Sequence, residues 1–319
     1  VRSIGHSSIA IGGDDIDKAK PDLYKVIPDL AVPGTQKNFN REVAALHPSG
    51  LGTAGLNDSK NYVNTASIGN ASLAIGMMTQ SLGTGSNAIG ANSLSKGVAS
   101  SAIGAMARSW GNNSLAIGSQ AGAYGEKSTS LGDANIVGFD MTNATLSGSA
   151  AGALGRGNKV YGNNAYAIGS ENTVGSATVT ETTESNGDKI KKGTAGTVKC
   201  NTAGAVGYKN TITTDNSYVV GSNSTISADN GMVLGNSATV TGANGLALGN
   251  NTKVANDNAV AIGNGSETAA AVATPSATIN GVTHNFAGTN PASTVSVGKA
   301  GMERTVTNVA AGRISATST

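Results

Sequence analysis

The sequence predicts an all-β chain, a parallel β-roll of stacked two-strand coils interrupted by inserted segments. Three observations lead there. An aliphatic–glycine pair recurs every 14 residues. Small and large residues alternate around each of those glycines, as they do along a strand. Aromatic residues make up only 3% of the 319-residue chain while glycine numbers 45, which argues against a large globular core and for thin, closely stacked layers.

The repeat comes first because self-similarity at a fixed period decides the architecture. The pair stands at Ile89-Gly90, Ile103-Gly104, Ile117-Gly118 and Leu131-Gly132, then at Leu154-Gly155 and Ile168-Gly169. A third run holds Val206-Gly207, Val220-Gly221, Leu234-Gly235, Leu248-Gly249 and Ile262-Gly263. Near the start the spacing halves to seven, at Ile4-Gly5 and Ile11-Gly12 and from Ile68-Gly69 to Ile89-Gly90.

Column by column, each repeat reads as strand, turn, strand, turn. Three residues before the glycine stand Leu115, Tyr166, Tyr218, Met232, Leu246 and Val260, and between lies a small residue such as Ala88, Ala102, Ala116 or Ala167. Five residues after it comes a second apolar column, Val137, Val160, Val174, Ile212, Ile226, Val240 and Val254. Gly97, Gly111, Gly125, Gly162 and Gly242 follow two positions later, where a corner with positive φ is expected. Asn113, Asn164, Asn216, Asn230, Asn244 and Asn258 precede the main glycine by five, and Asn tolerates turn geometry. A two-strand coil must stack on its neighbours to bury anything. The expected result is two parallel sheets around a narrow aliphatic core, with the Ala column forming a flat outer face suited to closed threefold self-association. A period of 14 excludes nonapeptide calcium-binding repeats, hexapeptide helices and leucine-rich repeats.

Composition excludes several function classes. Twenty-one basic against nineteen acidic residues, with no basic cluster among aromatics, is no nucleic-acid surface. The single Cys200 forms no internal disulfide and reads as an inert packed thiol. No stretch is apolar and long enough for a membrane helix, and no secretory signal heads the chain. His6, His47 and His284 lie far apart without partners at metal-ligand spacing. Gly83-Thr84-Gly85 lacks the Lys-Ser/Thr ending of a phosphate loop. No catalytic, cofactor or metal site is expected, and the chain reads as a non-enzyme.

Repeats such as Asn113-Ser114-Leu115-Ala116-Ile117-Gly118 resemble the head repeats of YadA-like trimeric autotransporter adhesins. Residues Val295-Ser296-Val297-Gly298-Lys299-Ala300-Gly301-Met302-Glu303-Arg304-Thr305-Val306 resemble that family's neck, a more specific motif. The resemblance implies a left-handed roll, although spacing does not set the hand and ordinary crossovers favour the right. It also implies a homotrimer on the bacterial cell surface, projected from the outer membrane, whose coiled-coil stalk and membrane anchor are absent from this sequence. The implied function is attachment to host cells or to an extracellular-matrix protein such as collagen, fibronectin or laminin, with autoaggregation and biofilm formation as related outcomes. The rival reading is a structural fibre or tail-spike segment with binding carried elsewhere. Glu303, Arg304 and Asn308 would contact neighbouring subunits in the neck. For Glu303 and Arg304 the alternative is a solvated pair on one chain.

The expected organisation is a coil fragment at 1–12, an insertion or cap at 13–65, and roll repeats over 66–276. A hairpin interrupts the roll at 177–202, with Val179–Thr182 and Thr197–Lys199 around Asn186-Gly187. A second hairpin at 277–294 packs against the neck at 295–319. Candidate ligand-binding residues are Tyr24, Phe39 and Tyr62 in the first insertion, and Trp110, Tyr124 and Tyr161 six residues past successive glycines. The last three are expected as an outward ladder with Lys96, either anchoring a protein partner or packing on a neighbouring subunit.

Overall fold

In the computed structural model the described residues are 1–12, 65–138, 148–176, 178–183, 189–194, 200–310 and 312. They contain strands and turns and no helix. The chain divides into two compact units, Val1–Thr202 and Ala203–Thr319.

Each unit is a stack of coils, and each coil gives one strand to each of two parallel sheets. In the first unit the longer strands run from Ile9–Ile11 through Leu73–Ile75 to Tyr166–Ser170, and the two-residue strands from Arg2–Ser3 through Ala66–Ser67 to Thr173–Val174. In the second unit the long-strand sheet runs from Gly204–Tyr208 to Val260–Ile262 and ends on Val295–Ser296. Its short-strand sheet runs from Thr211–Ile212 to Lys253–Val254. Pairing follows the repeat: Leu115, Ala116 and Ile117 face Thr129, Ser130 and Leu131, and Met232 faces Leu246. Backbone bonds such as Arg108 N–H to Ala121 O at 2.8 Å hold one coil on the next.

The interior reverses the expected parity. Ala74, Ala88, Ala102, Ala116, Ala247 and Ala261 are fully buried between the sheets, whereas Ile117, Leu154, Ile168, Val220, Leu234 and Ile262 lie on the outside, each more than a third exposed. Period-2 alternation assigns residues to two faces but does not say which is inner. The Ala side is inner because the sheets are joined by tight turns and the space between them is thin. The short-strand column does point inward as expected, with Val137, Val160, Val174, Ile212, Ile226, Val240 and Val254 fully buried.

The core is aliphatic only in part. Over the early coils the Val column is replaced by Ser67, Ser81, Ser95 and Ser109, all fully buried. Each hydroxyl meets a second buried serine five residues on, Ser67 with Ser72 at 2.6 Å, Ser81 with Ser86 and Ser95 with Ser100 at 2.7 Å, and Ser109 with Ser114 at 2.6 Å. The second serine donates to a turn carbonyl, as Ser100 Oγ does to Gly97 O at 2.7 Å. A polar core survives here because its hydroxyls are bonded. An internal asparagine ladder does the same three residues past the glycine. Asn158 Nδ2 donates to Asn135 Oδ1 at 3.1 Å and Asn172 Nδ2 to Asn158 Oδ1 at 3.0 Å. The signal was open in the sequence, since Asn135, Asn158, Asn172 and Asn210 hold one column.

Positive φ falls on the asparagines before the strand, as expected, with Asn113 at 55° and Asn244 at 56°. The glycines two positions earlier in the turn have a different reason. Gly97 is not in the left-handed region, but a Cβ there would stand 2.1 Å from Gly111 O on the next coil. Close approach demands those glycines rather than turn conformation. Gly104 meets both demands, with φ at 130° and a Cβ position 2.3 Å from Gly118 O.

The insertions leave the roll in register. Arg2 pairs with Ala66 and Ser3 with Ser67, so the 1–12 fragment is the coil beneath Ala66–Ile75. Residues 13–64 lie outside the described residues, and with them Tyr24, Phe39 and Tyr62. A further break, at 139–147, was not anticipated. Ile136 pairs with Lys159, and a Cβ on Gly148 would stand 2.5 Å from Gly138 Cα. The hairpin at 177–202 is present with a different second arm, for Thr178–Thr183 pairs antiparallel with Lys189–Thr194. Thr197–Lys199 fall outside the described residues. The later hairpin, Ser276–Ile279 with Val282–Asn285, turns at Asn280-Gly281, both with positive φ. It does not pack on the neck, since Ile279, Val282 and Phe286 are exposed.

Replacing Gly104 by Ala combines a left-handed φ with a carbonyl clash. We expect at least ~1–3 kcal/mol of destabilisation, read as a lower midpoint in chemical denaturation, while Ala105→Ser beside it leaves the midpoint within about 0.5 kcal/mol.

Candidate interaction surface

Three outward features can meet a partner. On the outer side of the long-strand sheet, the residues flanking each buried Ala make two apolar columns. In the first unit these include Ile117, Leu154, Tyr166 and Ile168. In the second they include Val220, Met232, Leu234 and Ile262, with Met232 and Leu234 half exposed. The columns arise because each long strand turns its middle residue, such as Ala116 or Val233, inward and its flanking residues outward. Exposed aliphatic columns of this kind are a candidate interaction face in each unit.

The second feature is the aromatic column on the outer side of the short-strand sheet. Trp110 and Tyr124 meet edge to face with ring centroids 5.9 Å apart, and Lys96 Nζ lies 4.4 Å over the indole. The ladder expected from spacing is therefore formed, but it is not open. Trp110 and Tyr161 are each only 8% exposed, and Tyr124 is half-buried. Burial, then the neighbouring Tyr124, raises the Tyr161 phenol above the ordinary tyrosine range. Trp110 Nε1 is buried without a hydrogen-bond acceptor among the described residues.

The third feature is the neck. Val295 pairs with Val260 and Ser296 with Ala261, so the neck begins as one more strand on the last coil. Arg304 then folds back over that coil. Its Nη1 donates to Ser266 Oγ at 2.9 Å and to Val297 O, and its Nη2 donates to Asn264 O. The guanidinium thus satisfies carbonyls that a following coil would otherwise have bonded. Glu303 does not pair with it in the chain. Its carboxylate accepts the Gly301 N–H at 2.8 Å, and backbone donors hold it below the usual carboxylate range. Lys299 reaches Glu267 at 3.4 Å, and Asn308 is exposed with φ at 59°. This same-chain use of Arg304 gave no signal in the sequence, because two of its acceptors, Ser266 Oγ and Asn264 O, lie about forty residues away in the chain. Cys200 is buried with φ at 96° in the place glycine holds one coil earlier, and a Cβ on Gly162 would meet its carbonyl. Among the described residues no group of His, Cys, Asp and Glu could hold a metal.

Two tests follow. Tyr161→Phe removes a late-ionising step from a spectrophotometric tyrosine titration. The unfolded chain ionises this phenol first, so its contribution to stability is intact below about pH 10 and falls as pH climbs toward the raised value. Arg304→Ala frees the Glu267 N–H, now bonded to Gly298 O, to exchange faster with solvent, and leaves the Met232 N–H as protected as before.

Comparison with known proteins agrees with this geometry. The family model for the YadA head domain repeat matches residues 95–121, 111–135, 227–252 and 241–266. Over 54 residues the chain is 61% identical to autotransporter adhesin BtaE of Brucella suis biovar 1 (strain 1330), a match spanning 17% of this chain and 7% of that protein. Two solved structures are similar. One is the C-terminal YadA-like domain of BPSL2063 from Burkholderia pseudomallei, at 54% identity over 26% of this chain and 39% of that one, with a TM-score of 0.25. The other is the collagen-binding domain of Yersinia adhesin YadA, at 19% identity over 75% and 80%, with a TM-score of 0.24.

Proposed function

We propose that this chain, which carries YadA head domain repeats at residues 95–135 and 227–266, is the head of a trimeric adhesin on the bacterial outer surface, a binding and scaffolding module rather than an enzyme. The observation that carries the reading is the aliphatic stripe on the long-strand sheet. In the first unit Leu154 and in the second Met232 and Leu234 stand half exposed on that sheet. Three copies related by a threefold axis bury that stripe on one another and leave no open end. Their exposure in the neck supports Glu303 and Asn308 as contacts to a neighbouring copy, while Arg304 donates to Ser266 Oγ of its own roll.

Recognition is assigned to what interrupts the repeat. The repeat columns are used up in building the core and the stripe, so the segments that leave the roll are free to differ in chemistry. Tyr24, Phe39 and Tyr62 in the first excursion, and the half-buried Tyr124, are the candidate contacts. The ligand class is an extracellular-matrix protein or host-cell receptor, with no nucleic acid and no cofactor. Three equivalent sites on one head turn weak single contacts into firm attachment.

Two measurements check the reading. Leu234→Glu places three carboxylates on the shared face, where burial without a partner costs several kcal/mol (on the order of 2–7). Sedimentation should show a trimer for the parent and monomer for the variant, with the β circular dichroism kept; a parent that sediments as a monomer sinks the trimer. Binding of the purified head to immobilised collagen, fibronectin, laminin and host cells is the second check. Absence of binding to all of them favours a structural fibre segment.

A further inference from the structure

An asparagine followed by glycine is prone to rearrange unaided, because a glycine without a Cβ lets its backbone nitrogen approach the asparagine side-chain carbonyl. The chain holds five such pairs, beginning at Asn186, Asn230, Asn244, Asn264 and Asn280. Asn186-Gly187 lies outside the described residues. The roll holds the next three still. Asn230 Nδ2 donates to Asn244 Oδ1 and Asn244 Nδ2 to Asn258 Oδ1, both at 2.9 Å, so a ladder up the corner fixes both side chains. The Gly231 N–H is itself bonded to Ser217 Oγ at 3.1 Å, and Gly245 is buried. Asn264 Oδ1 accepts from Asn251 at 3.3 Å, and the Gly265 N–H donates to Asn250 O at 2.8 Å. In each of these pairs, attack must first break a bond between coils.

Asn280-Gly281 is placed differently. It is the two-residue turn of the hairpin in which Ile279 faces Val282, and positive φ at both residues, 50° and 81°, gives the twist such a turn needs. Both residues are exposed, and beyond its chain neighbours nothing lies within 4 Å of where a Cβ on Gly281 would stand. Among the described residues no group bonds the Asn280 side chain or the Gly281 N–H. Two strands alone hold together weakly, so this turn opens far more readily than a coil stacked on both sides.

We propose that Asn280 is a self-modification site, converted without an enzyme to aspartate and isoaspartate, with water as the co-reactant. The Gly281 nitrogen gives its proton to solvent and forms a bond to Asn280 Cγ. The Cγ–Nδ2 bond breaks, and Nδ2 takes a proton back from solvent and leaves as ammonia. Water then opens the resulting succinimide ring. Opening at Cγ leaves an ordinary backbone with an aspartate side chain. Opening at the backbone carbonyl leaves the chain running through Cβ and Cγ, which is isoaspartate. Nothing is oxidised or reduced. Either product places a negative charge at the hairpin tip. Isoaspartate also adds a backbone carbon, which a two-residue turn cannot absorb while Ile279 faces Val282. The conversion stands whether or not the head binds a host ligand.

The test is to incubate the purified full chain at mildly alkaline pH and follow each asparagine by peptide mass spectrometry, with fragmentation that separates aspartate from isoaspartate. In the folded chain Asn280 should convert many-fold faster than Asn230, Asn244 and Asn264. In denaturant the four rates should draw together, since all four precede glycine. A rate at Asn280 no higher than at the roll pairs overturns the proposal. So does a gap that persists in denaturant, which assigns the selectivity to local sequence rather than to the fold. Gly281→Val crowds the attacking nitrogen and should slow the conversion many-fold, although it loosens the turn. An unchanged rate in that variant means direct hydrolysis of the side chain by water, and equally overturns the proposal.

Discussion

Between the two sheets of each unit the long strands turn Ala, Ser or Val inward and the short strands Ser, Ala, Val or Ile. That limit of thickness sends the flanking Ile, Leu and Met of the long strands outward. Close stacking is enforced by the glycines, because Gly97 and Gly104 let the carbonyl of the next coil come within about 2 Å of where a Cβ would stand. With the coils this near, backbone hydrogen bonds run unbroken from coil to coil. The interior can then be as polar as the paired serines Ser95 and Ser100 without loss of order. The stabilising unit is a coil-to-coil contact repeated many times, as in other solenoids, rather than one large apolar core.

The same limit shapes the outer surfaces of each unit. A wall one strand thick shows the solvent every residue it does not bury, so the Ile and Leu of the aliphatic–glycine pair become a continuous stripe. On the opposite sheet, outward residues vary freely, and the chain places Leu94 and Trp110 there in one unit and Thr225 and Lys253 in the other. Columns that hold the roll together repeat, and the segments that leave it are tethered at corners where Gly12 meets Thr65 and Gly138 meets Gly148.

At its end a roll exposes unbonded carbonyls and the edge of its last sheet. Here Val295–Ser296 continues the long-strand sheet by one strand, and Arg304 places its guanidinium on Val297 O, Asn264 O and Ser266 Oγ. A planar, permanently charged donor suits three oxygens at once, as lysine would not. The neck thus closes its own chain's roll before it can serve any contact with another chain.

The sequence by itself determined the period, the two-sheet coil, the turn asparagines and the register across the excursion at 13–64, because each depends on a column of like residues repeated many times. It also showed that Trp110, Tyr124 and Tyr161 share one column. It could not determine which side of the long strand is inner, since alternation is symmetric and only the thickness of the interior breaks the tie. The burial of Trp110 and the reach of Arg304 across about forty residues were decided by tertiary structure alone. Both depend on atoms brought together by stacking, and nothing in their local sequence encodes those neighbours.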